Sequence, residues 1–524
     1  MARYHTEPFP YVKPREAGTS GRARTPVLIV GAGPIGLAAA VDLAMRGVKS
    51  IVVDDNNAVS TGSRAICWAK RTLEIFDRLG LGDRMVAKGV TWKIGRLFHG
   101  KKEVYHFDLL PETRHKMPAF INLQQYYVEQ YLVERCADFP EFIDLRWKSK
   151  AVAVAQESAG ASAVIETPDG SYGMDAGYIL ACDGARSTIR TMMGLDFEGR
   201  VFEERFLICD IEMQAGFPSE RWFWFEPPFH AGESALLHKQ PDNIYRIDLQ
   251  LGPDADPQEE AKPERVIPRI KAMVGDRPFE ISWTSVYSFQ CRRLERFVHD
   301  RVIFVGDSAH VVSPFGARGG NGGIQDVDNL CWKLAAVLRG GADQRLLESY
   351  NAERVHAADE NIHNSARTTT FMTPKSGFEK SLRANVLKLA VDHGFARRLV
   401  NSGRLSAPSS YTNCGHVVRD ETPLPEISRA GSAAVDAPFR DGWFLNHLGG
   451  TFTLLCFNST PAHSGIDRIS IAHAETSPEL RARYLGAHGS AVYLVRPDQH
   501  IAARWLSPSG DDISQALNAA MGRQ

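Results

Sequence analysis

The chain has 524 residues, of which 44% are hydrophobic and 23% charged, enough for several domains with ordinary globular cores. Lysine plus arginine number 61 against 62 for aspartate plus glutamate, so a formal charge of −1 gives no electrostatic case for nucleic acid or an anionic membrane. No apolar run approaches the roughly 18 residues that cross a bilayer, the first 24 residues lack the apolar core of a signal peptide, and the eight cysteines form no CxxC pair. The expectation is a reduced, cytoplasmic protein without a metal site.

Residues 1–24 read as a tail or packing arm. Residues 25–30, TPVLIV, are β-branched and apolar on both faces, as a buried parallel strand is. GAGPIG follows at 31–36, then a small-residue helix to Gly47 and a second strand ending in Asp54. In such a βαβ start, Gly31, Gly33 and Gly36 permit a tight turn and close approach to a pyrophosphate. Pro34 and Ile35 open the helix, whose N-terminus favours negative charge, and Asp54 stands where an acid can accept hydrogen bonds from ribose hydroxyls. Residues 65–79 carry helical spacing at Ile66, Ala69, Leu73, Phe76 and Leu79. Weak alternation over 91–110 predicts strands, 125–136 predicts a helix, and 151–182 predicts strands around a turn at 168–170. From 200 to 290 short alternating runs predict a mostly antiparallel inserted sheet. β/α texture returns at RVIFVGD, 301–307, with a helix predicted over 324–338 and a helical stretch over 343–400. Residues 402–425 resemble a linker in composition, and 440–524 read as a separate small α/β domain.

One glycine motif does not separate FAD from NAD. Two further stretches do. ACDGARSTIR at 181–190 resembles the Asp-Gly motif of the group A flavoprotein monooxygenases. RVIFVGDSAH at 301–310, continuing through VVSPFGARGGNGGIQD at 311–326, resembles their Gly-Asp motif and flavin-cradling loop. The resemblance covers about 25–400. AVYLVRPDQHIAARW at 491–505 is similar to the thioredoxin-like, redox-dead domain of the phenol and hydroxyphenylpropionate hydroxylase branch. The implied fold is α/β: a Rossmann-like FAD-binding domain (25–90, 118–198 and 297–400), an inserted mostly antiparallel β-sheet substrate domain (91–117 and 199–296), a linker (401–439) and a thioredoxin-like domain (440–524). The implied activity is hydroxylation of a phenolic small molecule in aromatic catabolism, with FAD, molecular oxygen and NAD(P)H as a transient co-substrate, by way of a flavin hydroperoxide. Homodimers are common among such proteins.

The resemblance also implies site residues. Asp307, at the end of an apolar strand, would bind the ribityl hydroxyls. Asp183 and Gly184 would turn close to the pyrophosphate, and Arg64 and Gln125 match positions that touch FAD. Gly319, Gly320, Asn321, Gly322 and Gly323 would let the backbone approach the flavin ring, with Pro314 near its reactive edge. Arg318 departs from the family's Gly-Gln-Gly pattern. Arg186 or Arg190 would help NAD(P)H approach. In the inserted sheet, Trp222 and Trp224 share one strand face and Phe223 and Phe225 the other. The tryptophans are the expected pocket lining, with ordinary sheet core as the alternative. His238 is a candidate proton relay, and Arg246 a candidate holder of an anionic substrate group unless it pairs with Asp210 or Asp248. Tyr287 and Phe289 are further candidates, and His310 reads as structural. The competing readings are a decarboxylating or denitrating aromatic hydroxylase, a flavin-dependent halogenase, and a non-catalytic flavin-binding protein.

Overall fold

A computed structural model describes residues 7–19, 21–252, 254–314, 316–400, 407–415, 417, 420, 422–463 and 465–523. Its first sheet is built on five parallel strands in the order Ile143–Arg146, Ser50–Val53, Arg22–Val30, Gly170–Ala181 and Val302–Phe304. Val27 to Ile29 at its centre are fully buried, which is why this run carries no polar alternation. The strand begins at Arg22, paired with Gly173, inside the segment read as a tail. Before it, Phe9 stacks on Trp147 with ring centroids 4.7 Å apart, so the described part of the tail is a packing arm. The helices Pro34–Met45, Gln125–Cys136 and Gly319–Leu338 cover this sheet.

The helix expected over 65–79 is corrected at its start. Cys67–Ala69 is a short strand paired with Phe120–Asn122, and the helix runs only over Lys70–Arg78. Tertiary pairing overrides the local helical spacing there. The helix expected at 324 begins instead at Gly319, so the glycine cluster forms its first turns rather than a preceding loop.

The second sheet has eight strands. Six of them run in the order Glu280–Arg293, Glu198–Glu212, Ile244–Leu251, Ser234–Lys239, Arg221–Phe225 and Ile94–His99, with His310–Val311 and Lys102–Asp108 at the edges. Every pairing is antiparallel except that of Arg221–Phe225 with Ile94–His99. One face packs on the helix Pro263–Val274, through Leu207, Leu237, Tyr245 and Ile247. The other face turns toward the segment around Cys67, where Trp283 packs so closely on Gly62 that a Cβ there would lie 2.3 Å from the indole.

A four-stranded sheet, in the order Asp467–Ile471, Thr453–Phe457, Ala491–Val495 and Ile501–Trp505, ends the chain with the helix Gly510–Ala520. Of the stretch read as a linker, 401–406 lie outside the described residues. Tyr411 is buried, and its hydroxyl accepts from Arg354 at 2.8 Å. The terminal sheet docks through buried ions. Arg496 donates to Glu353 at 2.6 and 2.9 Å and to Asp498 at 2.5 Å, while Lys333 donates to Glu353 at 2.8 Å. Arg71 reaches Asp328 at 2.8 Å and the Asp498 carbonyl at 2.7 Å. Burial alone would raise Glu353, but Arg496 and Lys333 hold its carboxyl far below the usual range. Removing one member leaves a buried charge unanswered, which is costly even where the intact network is nearly neutral. Arg496→Met is therefore expected to destabilise the protein by about 3–5 kcal/mol. Urea unfolding would check this, and an unchanged midpoint would mean that the terminal sheet docks by other contacts.

Candidate active site

Three separated turns meet at the carboxyl edge of the parallel sheet. The first is the glycine turn after Val30. Gly31 has φ +107°, and a Cβ on it would lie 2.5 Å from the Cys182 carbonyl oxygen. A Cβ on Gly36 would fall 1.9 Å from the Gly31 oxygen, so helix and turn close on each other only without a side chain there. Gly33 differs. Its φ of −75° suits any residue, and a Cβ there would meet nothing within 4 Å. The first and third glycines serve the packing of the turn, and the second keeps an open approach to the backbone. Pro34 and Ile35 begin the helix, and Ile35 packs against Gly306 and Gly323 beside the third turn. Asp54 accepts from Ala32 N–H at 2.6 Å and from Asn56 N–H at 2.8 Å, tying the second strand to the glycine turn. Burial raises its carboxyl above the ordinary range, partly offset by these two donors.

The second turn holds Asp183 and Gly184. Asp183 Oδ2 accepts from Ile189 N–H at 3.0 Å, whereas its Oδ1 is shielded from solvent with no partner. Arg190 stitches this turn to the third by donating to the carbonyls of Ala185, at 2.7 Å, and Ser308, at 3.1 Å. Arg186 is exposed.

The third turn carries Asp307. Asp307 is exposed at this edge and receives no hydrogen bond from any described residue; the protein around it raises its carboxyl above the usual range, with His310 and Arg64 opposing. The adjacent Gly306 N–H is held by Asp326 Oδ2 at 3.0 Å, which also receives His310 Nε2 at 2.7 Å, while Arg354 donates to Oδ1 at 2.6 Å. Burial alone would raise Asp326, but His310 and Arg354 keep it below the usual range. His310 thus acts as a clamp on the turn. Among the cluster glycines, a Cβ on Gly322 would meet His310 at 3.3 Å and one on Gly323 would meet Ile35 at 2.6 Å, so both are packing positions. Gly319 and Gly320 have more room, with nearest atoms at 3.8 and 3.4 Å. Asn321 is buried and bonds Ala69 N–H, the Cys67 carbonyl and the Ala317 carbonyl. Arg318, the departure from the family pattern, donates to Asn361 at 3.0 Å. Pro314 is exposed beside this loop. Arg64 donates to the Tyr287 hydroxyl at 2.9 Å, and Gln125 accepts from Ala65 N–H at 3.1 Å. Both line the same edge.

The inserted sheet faces this edge with a mixed surface. Cross-strand pairs put Arg221 beside His238, His238 beside Arg246, and Arg246 beside Asp210. Asp248 and Phe223 lie on that face too, each paired with Leu236. Trp222 and Trp224 point the other way. They pack with Phe98, Phe217 and Phe229, which corrects the expectation that they line the pocket. Strand alternation assigns that position to the Phe223 pair. Arg246 is buried and bound to Asp210 at 2.8 and 2.7 Å and to the Ser63 carbonyl at 2.5 Å, matching the ion-pair alternative rather than a substrate contact. Phe289 stacks on Phe206 at 4.6 Å within the apolar end of the sheet. His238 is buried with Nδ1 3.9 Å from Cys67 Sγ. Burial, then Arg221 and Arg246, push its imidazole well below the ordinary value, so it is neutral. Sequence reading missed Arg221 as a site residue and gave Asp248 only as a partner for Arg246. Asp248 Oδ1 is buried without a partner, and burial pushes its carboxyl up to about 6, with Asp210 adding and Arg246 and Arg221 opposing. A separate groove of about 1060 Å³, bordered by Lys271, Arg277 and Thr284, lies beyond Trp283.

A parallel nucleotide-binding sheet whose three turns gather under an antiparallel sheet defines the architecture of the group A flavin-dependent aromatic monooxygenases, and this protein is one of that class. The chain belongs to the family described as FAD binding domain, whose model matches residues 24–365. It is 26% identical to a 3-(3-hydroxy-phenyl)propionate/3-hydroxycinnamic acid hydroxylase of Mycolicibacterium smegmatis (strain ATCC 700084 / mc(2)155), covering 94% of this chain and 92% of the relative. A protein of the same name from Burkholderia cenocepacia (strain HI2424) is 28% identical over 96% and 98%. Among solved structures, the flavin-dependent monooxygenase PieE in complex with FAD and substrate superposes with a TM-score of 0.78 at 22% identity, covering 96% and 99% of the two chains. Aklavinone-11 hydroxylase with FAD and aklavinone gives 0.76 at 21%, covering 96% and 100%.

The residues present fit FAD. The buried, unpartnered Oδ1 of Asp183, the exposed Asp307 and the open approach at Gly33 belong one to each of the three turns that meet at this edge. Gly33→Ala is expected to leave the fold intact, because its backbone angles suit alanine, yet to lower flavin content. Asp307→Ala should lower it too. Absorbance of the purified proteins at flavin wavelengths, normalised to protein, measures both, and wild-type occupancy in either would remove that residue from the binding set.

Proposed function

We propose that this protein hydroxylates a phenolic small molecule with NAD(P)H and molecular oxygen, and that the Asp248 carboxylate receives the phenol proton. The observation that carries the reading is the polar face opposite the flavin cradle, where Asp248 Oδ1 is buried without a partner and His238 is neutral. Bound FAD supplies hydride acceptance and the electrophilic oxygen; the protein supplies orientation, exclusion of water and proton handling. A carboxylate of pKa about 6 is ionised at neutral pH and still basic enough to accept a proton as the ring becomes electron-rich. Burial, with the Asp210 charge adding, favours its protonation more than Arg246 and Arg221 oppose it. Asp54, Asp183, Asp307, Gly31, Gly33, Gly319 and Gly320 would hold the cofactor, with Arg64 and Gln125 at its edge. The relatives' names point to hydroxyphenylpropionate and hydroxycinnamate as the phenols to try first.

The same reading assigns 440–524 to a thioredoxin-like domain without redox function, supported by its four-stranded sheet, its terminal helix and the absence of CxxC. Eight free thiols support a reducing compartment such as the cytoplasm.

NAD(P)H oxidation stimulated by a phenol, with a product heavier by one oxygen atom, tests the activity. Oxidation that yields only hydrogen peroxide with every phenol tried would refute it. For wild type, kcat/KM should rise with pH through about 6, as Asp248 loses its proton. Asp248→Asn should lower kcat by roughly 10²–10⁴-fold and abolish that limb. Persistence of the limb in the variant would assign it to another group.

A further inference from the structure

The face that carries Asp248 also carries a cation with no protein partner. Arg221 lies in the strand Arg221–Phe225, directly across from His238. It is half-buried, and no described residue makes a hydrogen bond or ion pair with it. The fully buried arginines of the protein are answered. Arg246 holds Asp210, Arg354 holds Asp326, Arg496 holds Glu353 and Arg504 holds Asp420. Arg318 holds Asn361. Of the two arginines that flank His238 on this sheet face, Arg221 is the one without such a partner.

The exception has an energetic meaning. A guanidinium partly withdrawn from water loses hydration that no hydrogen-bonded counter-charge here replaces. Burial accordingly depresses Arg221, with only Cys67 and Asp248 opposing, and neither is bonded to it. The pairing pattern also fixes which neighbour is spoken for. Asp210 is consumed by Arg246 on both oxygens. Asp248 sits diagonally across, next to Leu236 rather than His238. His238 next door is neutral, so it neither repels a cation nor competes for an anion. What satisfies a planar five-donor fork in that position is an oxyanion that accepts two parallel hydrogen bonds.

We propose that Arg221 is the specificity residue that anchors a carboxylate borne on the side chain of the phenolic substrate. This deepens the hydroxylase reading and rests on it. The carboxylate on Arg221 and the phenol on Asp248 then fix two ends of one ring, which is what regioselective attack requires.

The test uses flavin-loaded wild type, Arg221→Gln and Arg221→Lys. Binding is read from the perturbation of flavin absorbance on titration with 3-hydroxybenzoate, 3-hydroxyphenylacetate and 3-(3-hydroxyphenyl)propionate, each beside its neutral primary amide. Wild type is expected to bind at least one acid more tightly than its amide. Arg221→Gln should weaken that acid by roughly 10- to 100-fold while leaving the amide within about threefold, with Arg221→Lys in between. Equal weakening of acid and amide in Arg221→Gln, or loss of bound flavin in both variants, would make Arg221 a scaffold residue and overturn the proposal. Wild type that hydroxylates neutral phenols but shows no preference for any acid would overturn it while the hydroxylase reading stands. If no phenol of either kind binds or stimulates NAD(P)H oxidation, both readings fall together.

Discussion

The architecture depends on how closely the backbone after Val30 passes the backbone at Cys182 and Asp183. A carbonyl oxygen 2.5 Å from where a Cβ would stand at Gly31, and another 1.9 Å from that position at Gly36, leave no latitude. This contact draws the end of one strand against the end of its neighbour, which lies 151 residues further along at Cys182. Cys182 N–H donates to the Val30 carbonyl at 2.8 Å and Val305 N–H to the Ala181 carbonyl at 3.1 Å, so the third turn is registered on the same edge. A dinucleotide can be gripped along its length because three chain segments are locked together before it arrives.

The polar groups of this region sort by whether the protein satisfies them. Asp326 is shared by Gly306, His310 and Arg354 and contributes rigidity to the turn beside it. The Glu353, Arg496, Lys333 and Asp498 cluster does the same where the terminal sheet docks. Asp183 Oδ1, Asp307, Asp248 Oδ1 and Arg221 are left unanswered, and all lie around one edge of the parallel sheet and the sheet face above it. For the buried Asp183 and Asp248 oxygens the lack of a partner costs on the order of 1–3 kcal/mol each. Unpartnered buried atoms occur elsewhere too, at Tyr178 and His463 among others, so what singles out this set is its coincidence with the three turns and the sheet face above them.

Much of this was legible in the sequence, for physical reasons. The glycine turn, Asp183 and Asp307 follow continuous apolar strands, and such runs have one reading when they are buried on both faces. The helix Gln125–Cys136 was read to its bounds. The sheet face was harder. Alternation in RWFWF separates Trp222 and Trp224 from Phe223 and Phe225, but it does not say which pair faces inward, because both faces of this sheet are covered by apolar clusters. Inward orientation is fixed by the register of Arg221 with His238 and of His238 with Arg246, which only long-range pairing sets. One local clue was present: Arg221 shares its face with Phe223 and Phe225, and an arginine heading an inward apolar row is a half-buried cation in need of a partner.

Arg246 and Arg221 separate two uses of the same side chain. They lie two strands apart on one face, both beside His238, and both are desolvated. Arg246 is answered by Asp210 within the sheet and by the Ser63 carbonyl from the segment that borders the cradle, so it joins the lid to the floor. Arg221 has neither contact. Exchanging their roles would require carrying Asp210 two strands across the sheet to the place of His238, which its register with Trp283 forbids without breaking the packing of Trp283 on Gly62. The protein thus spends one buried arginine on holding its two sheets together and keeps the other uncommitted, and the carboxylate at Asp210 is what decides between them.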